Sequence, residues 1–358
     1  MAPASDLRRP TSDDFAIIGA GLLGRLLAWR LLEQGHTVTL FEKGSRAGEL
    51  SAARVAASML APFTEVVSAE RRVFDWGLMA LDWWPGELAR LAEQSGVSIP
   101  LGCDGSIVVA HELDKSSMQH FMQSLAAKVP EHMDAVQPLD QAGLAALEPE
   151  LAQRYHGGIY LSREGYLDNT ALLTALNLAI ETRGGKWVEH TAVTKVTAGA
   201  VTWGDQHDNF DWVIDTRGLG AKADIPGLRG VRGEVLWVHA PEVNLSRPVR
   251  LMHPRYKLYI SPRLNHRYVI GATEIESESM APVTVRSNLE LLSALYSVHS
   301  GFAEATVEHS YAHCRPAMPD NMPVVDCQPG LLRVNGLYRH GYLLSPYVVE
   351  AALAAMAS

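Results

Sequence analysis

Apolar residues recur along this chain with two different periods, and the switches between them mark its elements. A short buried run, Phe15, Ala16, Ile17 and Ile18, reads as a strand, LLGRLLAWRLLEQ carries apolar positions at helical spacing up to Gly35, and TVTLF (37–41) closes a second strand. VFDWGLMALDWWPGELARLAEQSG predicts a helix broken at Pro85, since proline lacks the amide that an interior helical bond needs. Between 101 and 150 the pattern gives a strand (SIVVA), an amphipathic helix (SSMQHFMQSLAAKV) and a short helical piece ending near Glu148. YLDNTALLTALNLAIETRGG predicts a helix capped by Asp168 or Asn169 and stopped by Gly184 and Gly185. KWVEHTAVTKV and FDWVIDTRG follow as strands, and 231–275 alternates through VRGEVLWVHA, KLYISPR and RYVIGATE as an antiparallel sheet would.

The first of these units carries chemistry. GAGLLG fills the turn between strand and helix: Gly19 permits the tight turn, Gly21 lets a pyrophosphate approach the backbone, and Gly24 lets the helix, opened by Leu22 and Leu23, sit close to the sheet. Glu42, at the end of the second strand and 21 residues after Gly21, is placed for ribose hydroxyls. A dinucleotide is expected here, and the glycines leave NAD and FAD both open.

Composition narrows the surroundings more than the chemistry. The 358 residues are 47% hydrophobic and 20% charged, an ordinary globular balance with room for two lobes. The net charge of −9 and the lack of a basic block argue against nucleic acid as a partner. Cys103, Cys314 and Cys327 are odd in number and widely spaced, which predicts a reducing compartment, no disulfide framework and no metal site. Residues 1–14 lack an apolar signal core, so a cytoplasmic protein without stable membrane insertion is expected. Self-association into a homo-oligomer is left open.

Five further motifs point to a family: SMLAP (58–62), VRGE (231–234), YISPR followed by VIGATE (259–274), RPAMPD (315–320) and LYRHGYLLSP (337–346). With the glycine loop, and with the small-residue stretch KGSRAGELSAARVAASMLAP that suits threading past a bulky ligand, the chain resembles the flavin-dependent amine oxidases of the glycine oxidase and D-amino acid oxidase family from Phe15 to about Leu353. The resemblance implies an α/β protein: a Rossmann-like FAD-binding domain (13–90, 150–225, 310–358) interleaved with an α+β substrate domain on an antiparallel sheet (91–149, 226–309). It implies FAD, held non-covalently, because Cys314 stands one place out of register with the cysteine that carries flavin in sarcosine-oxidase-like relatives.

The resemblance also assigns residues. Lys43 and Arg46 would neutralise phosphate or lie solvated; the Val193 backbone would meet the adenine edge; Thr216 and Gly218, in a DTRG stretch where the family usually has ATG, would lie near the cofactor, with Arg217 the departure. Ala57, Ser58 and Met59 would run beside the flavin ring, where a glycine commonly replaces Ser58, and Met59 would wall the substrate. Arg315 would grip the substrate carboxylate with its planar fork, Tyr259 would reach the same carboxylate, and Arg339 would add a second positive charge near the ring. His340 would stand among the cofactor-binding residues and reads as a hydrogen-bonded structural residue with no catalytic part. Gly341, Tyr342 and Leu343, ahead of a helix with Pro346 near its start, would aim amides at the ring.

Pocket size would depend on loops near Met59, Met252, His253 and Tyr256. The implied reaction oxidises glycine or a D-amino acid: hydride leaves Cα, the imine hydrolyses to a keto acid and ammonia, and oxygen becomes hydrogen peroxide. A D-amino acid dehydrogenase using a quinone, and an N-methyl amine oxidase, stay open. So, from another class, do a nicotinamide-dependent dehydrogenase and a non-catalytic nucleotide-binding protein.

Overall fold

A computed structural model describes residues 12–253 and 258–357. The opening strand–turn–helix–strand unit folds as its pattern dictates: strand Asp14–Ile18 lies parallel to Thr37–Phe41 on one side and to Trp212–Asp215 on the other, with helix Leu22–Glu33 crossing over. Lys186–Val188 and Leu331–Asn335 extend the sheet in parallel, and Val324–Gln328 closes it antiparallel. Helices Leu22–Glu33, Arg71–Ser95, Asn169–Thr182 and Gly341–Met356 bury their apolar faces in the largest core cluster, on one side of this sheet. Asp168 caps the third of them, its side chain accepting from the Ala171 amide at 2.8 Å.

The second large sheet has eight strands, in the order Thr306–Ala317, Arg229–His239, Arg267–Gly271, Leu258–Arg263, Val249–Met252, Ser106–Ala110, Gly157–Leu161 and Val136–Asp140. All pairs are antiparallel except Val249–Met252 with Ser106–Ala110. Its even-numbered residues Leu236, Leu258, Ile260 and Ile270 pack against helix Val285–Val298 in a core of their own. The other face carries Tyr259 and Arg315 and looks toward the nucleotide-binding sheet. Strand Gly157–Leu161, placed by sequence position in the FAD-binding segment 150–225, is hydrogen-bonded into this sheet, and Thr306–Ala317 runs without interruption across the expected border at 310.

Three local expectations are corrected. Pro85 does not break its helix, which runs from Arg71 to Ser95, because both halves bury one continuous face (Phe74, Leu78, Leu81, Trp84, Leu88 and Leu91) and that burial outweighs the proline's cost of about 3 kcal/mol. KWVEHTAVTKV is two short strands, Lys186–Val188 and Lys195–Thr197, with Val193 in the loop between. Pro346 is the sixth residue of the last helix, not its first turn. The Tyr342 carbonyl, which would have met an amide at 346, instead accepts from the Trp84 indole at 2.9 Å. Among the described residues no helix is long and apolar enough to cross a membrane.

Candidate active site

A cavity of about 830 Å³ runs from the glycine turn to the face of the eight-stranded sheet, at the upper end of the range for small-molecule sites. At one end stands the helix Leu22–Glu33 with Gly21 as its uncapped N-terminus. A β-carbon at Gly24 would fall 2.1 Å from the Gly19 carbonyl, and one at Gly19 would meet the Thr216 carbonyl at 2.8 Å, so both glycines are spent on close packing. Gly21 differs: only the Ser51 hydroxyl, at 3.6 Å, comes near its missing side chain, and the space beside it is the cavity. Glu42 is buried at the end of its strand, its carboxylate accepting from the Ala20 amide (2.8 Å) and the Gly44 amide (3.0 Å). It braces the turn and has lone pairs left for a ribose.

Lys43 lines the cavity, as do Leu22, Leu23, Val193 and Gly218. Arg46 does not. Its guanidinium is taken by Glu189 (2.9 Å) and Glu181 (3.4 Å), so it is an outward ion pair and no phosphate ligand. The cation that sequence reasoning missed is Arg25, wholly buried behind the turn and donating to the carbonyls of Ala20 (2.7 Å), Arg46 (3.2 Å) and Leu173 (3.4 Å). Burial pushes its pKa down to about 10, against the pull of Glu42. The signal was an arginine on the apolar side of LLGRLLAW. Thr216 donates to the Gly19 carbonyl at 2.7 Å, and Arg217 is held by Asp215 (2.7 Å) and Asp224 (2.5 Å).

Further in, Ala57, Ser58 and Met59 pass along the cavity wall. Ser58 has φ +49°, the left-handed region, which is the physical reason a glycine suits this place. Its hydroxyl donates to the Leu167 carbonyl (2.5 Å) and accepts from Arg263 (3.0 Å), so it serves the backbone. Arg339 is no free charge either: it forms ion pairs with Glu65 (2.6 Å) and Glu274 (2.8 Å). Burial would raise the Glu65 carboxyl, but Arg339 and His340 hold it well below the usual range. His340 Nδ1 lies 3.2 Å from the same carboxylate and stands at the uncapped start of the last helix, whose Gly341, Tyr342 and Leu343 line the cavity.

The sheet face forms the floor. Arg315 lies across Gly233, where a β-carbon would come within 2.3 Å of its Nη2; the guanidinium donates to the Thr273 carbonyl at 3.2 Å from both Nη atoms. No carboxylate pairs with it among the described residues. The VRGE motif is thereby explained: Gly233 makes room for Arg315, while Arg232 and Glu234 pair at 2.6 Å. In GATE, a β-carbon at Gly271 would fall 2.8 Å from Val235 Cγ1 and 3.3 Å from the Tyr259 hydroxyl, so the glycine leaves room for both; Thr273 holds Arg315, and Glu274 holds Arg339. Burial pushes the Tyr259 phenol up, against Arg315 and Arg339, so it stays a protonated donor at neutral pH. Cys314 borders the cavity, but it alternates to the other side of the strand from Arg315 and its thiol is directed to the carbonyls of Ser277 and Ser279. His253 and Leu258 line the cavity and flank residues 254–257, so Tyr256 lies outside the described residues, and Met252 is not among the lining residues. Arg250, not foreseen, also lines the cavity.

A long adenine dinucleotide fits these walls: a bare helix N-terminus with an open glycine, a braced carboxylate one strand over, a small-residue wall, and a second bare helix N-terminus at the far end. Comparison with known proteins agrees. Residues 14–354 match the family model DAO, described as FAD dependent oxidoreductase. The chain is 40% identical over 328 residues to a putative thiamine biosynthesis oxidoreductase ThiO of Rhizobium etli, covering 92% of this chain and 91% of that one. It is 26% identical to a glycine oxidase of Geobacillus kaustophilus, over 93% of this chain and 90% of that one. The crystal structure of a glycine oxidase from Bacillus cereus superposes with a TM-score of 0.83 at 26% identity, covering 97% of both chains.

Proposed function

Since this chain belongs to the DAO family of FAD-dependent oxidoreductases, we propose that it oxidises a small α-amino acid, glycine first, at the bond between Cα and nitrogen. The observation that carries this reading is Arg315: a guanidinium fixed by the Thr273 carbonyl, facing the cavity and unpaired with any carboxylate among the described residues. Such a fork binds a carboxylate through two parallel hydrogen bonds and so sets orientation as well as position.

Bound FAD supplies the two-electron acceptor for the hydrogen on the substrate α-carbon. Gly21, Glu42 and Lys43 would hold its nucleotide half, with Arg25 stiffening the turn from behind. Ala57, Met59 and the Gly341–Leu343 helix start would hold the ring. Arg315 takes the substrate carboxylate; the Tyr259 hydroxyl donates to it and fixes the rotation about its bond to Cα. Met59, in the apolar cluster with Val235 and Tyr259, keeps water from the reacting carbon. No general base is needed once the amine is neutral, which fits a site where orientation is the main device. Amino acid, water and oxygen give 2-oxo acid, ammonia and hydrogen peroxide. The turned-away Cys314 supports non-covalent FAD.

The test is peroxide release from glycine, sarcosine and paired D- and L-amino acids, with ammonia measured alongside. Peroxide and ammonia in equal amounts are expected with glycine or a small D-amino acid. Turnover only with an added quinone would move the acceptor, and methylamine release from sarcosine without glycine oxidation would move the substrate. Flavin should leave the acid-denatured chain intact.

A further inference from the structure

We propose that Arg250 is a second anion-binding group of the substrate pocket, so that beside glycine the site takes small α-amino acids bearing a second carboxylate and prefers them to their uncharged analogues. This rests on the amino acid reading above and names the substrate class for it.

The sheet register puts Arg250 there. Arg250 lies directly opposite Tyr259 on the neighbouring strand, and Tyr259 lies opposite Gly271 on the next. Side chains opposite one another share a sheet face. Crossing the floor, the order is therefore Arg250, Tyr259, Gly271 and Val235, with Gly233 two residues along the same strand and on the same face, the Arg315 guanidinium above it. Tyr259 stands between the two arginines, and all three line one cavity.

Arg250 is also unspent. Its Nε is buried with no hydrogen-bond partner, and its guanidinium enters no ion pair among the described residues. A buried donor left without an acceptor carries its full desolvation cost, so native structures seldom keep one without a use. The nearby carboxylates are engaged elsewhere: Glu65 by Arg339 and His340, and Glu164 by the Thr64 amide (2.6 Å) and the Ser106 hydroxyl (2.6 Å). The Phe121 ring supports the guanidinium at 5.9 Å without cancelling its charge. Arg315 meets one carboxylate. Arg250, past the Tyr259 hydroxyl, offers five donors to another.

Two measurements on the holoenzyme test this. The first titrates the flavin absorbance with unreactive acids matched in length: malonate against propionate, succinate against butyrate, glutarate against pentanoate. The second compares kcat/KM for D-aspartate with D-asparagine, and D-glutamate with D-glutamine. In at least one pair the diacid should bind about ten- to a hundredfold more tightly, as a charge-assisted contact implies. Turnover should favour the acidic amino acid by a similar factor. Arg250→Met should bring both ratios to about one and Arg250→Lys should keep part of them. A parental enzyme with no diacid preference in any pair overturns the proposal whatever the variants do, and so does an Arg250→Met enzyme that keeps the preference. Diacid binding that depends on Arg250 with no amino acid oxidised would leave this site standing and remove the oxidase reading instead.

Discussion

Arg315 and Gly233 occupy one another's space: the guanidinium fills the volume a β-carbon would take, 2.3 Å from where it would sit. Arg315 stands opposite Val231 and Gly233 opposite His313, so the guanidinium reaches diagonally over position 233, which it can do only because residue 233 has no side chain. Gly233→Ala should therefore move the flexible end of Arg315 and leave the sheet intact. We expect flavin content and melting temperature near the parental values, with kcat/KM for the best amino acid down roughly a hundredfold, the scale for displacing a positioned group by about 1 Å. Parental kinetics in the flavin-loaded variant would refute the arrangement.

Arg315→Leu should keep its flavin and lose amino acid oxidation by several orders of magnitude, combining about 2–5 kcal/mol of lost charge pairing with misorientation of the Cα hydrogen. Arg315→Lys should rescue only part, because ammonium supplies charge without the fork. An amine lacking a carboxylate is the control: its slow turnover should change little. Equal kcat/KM for the parent and the leucine variant would make Arg315 structural.

Glu42→Ala removes an acceptor from the Ala20 and Gly44 amides as well as from a ribose. Each charge-assisted hydrogen bond is worth on the order of 1.5–3 kcal/mol, so FAD affinity should fall by roughly one to two decades. Fluorescence titration of the apoprotein measures it, and unchanged affinity would place the ribose elsewhere.

Glu164 gives a pH prediction. Burial pushes its pKa up to about 7 from an ordinary 4.5, despite hydrogen bonds from Ser106 and Thr64. Below the lower value both folded and unfolded states hold the proton, and nothing is lost. Between the two the unfolded chain gives it up first, so this group lowers stability as pH rises and reaches its full penalty above the higher value. At about 1.4 kcal/mol per unit the penalty is roughly 3 kcal/mol. Urea unfolding at pH 5 and pH 8 should show Glu164→Gln gaining on the parent at the higher pH. A difference independent of pH would show that the carboxyl ionises normally.

What the sequence made legible was local. The glycine turn, the Asp168 cap and the alternation of 231–275 depend on residues a few places apart, and each motif drew its meaning from neighbours in the chain. Charges were read less well, because their partners are distant. Arg46 is claimed by Glu189, 143 positions on, and Arg339 by Glu65, 274 positions back. Arg25 gave only its place on an apolar helix side as a signal and Arg250 gave none, since a buried arginine and a solvated one look alike until the fold surrounds them. Gly233 and Gly271 stood in motifs whose reason, room for Arg315 and Tyr259, appears only when strands are laid side by side.

The indole of Trp84 answers a carbonyl that Pro346 leaves without an amide, across two helices far apart in sequence. Neither residue is self-sufficient. Among related chains the two positions should therefore vary as a pair: a lineage that replaces the proline frees position 84 to become any apolar residue, whereas one that loses the tryptophan first must pass through a less stable ancestor or restore an amide at 346. One hydrogen bond thus predicts the order in which substitutions at these two sites are tolerated.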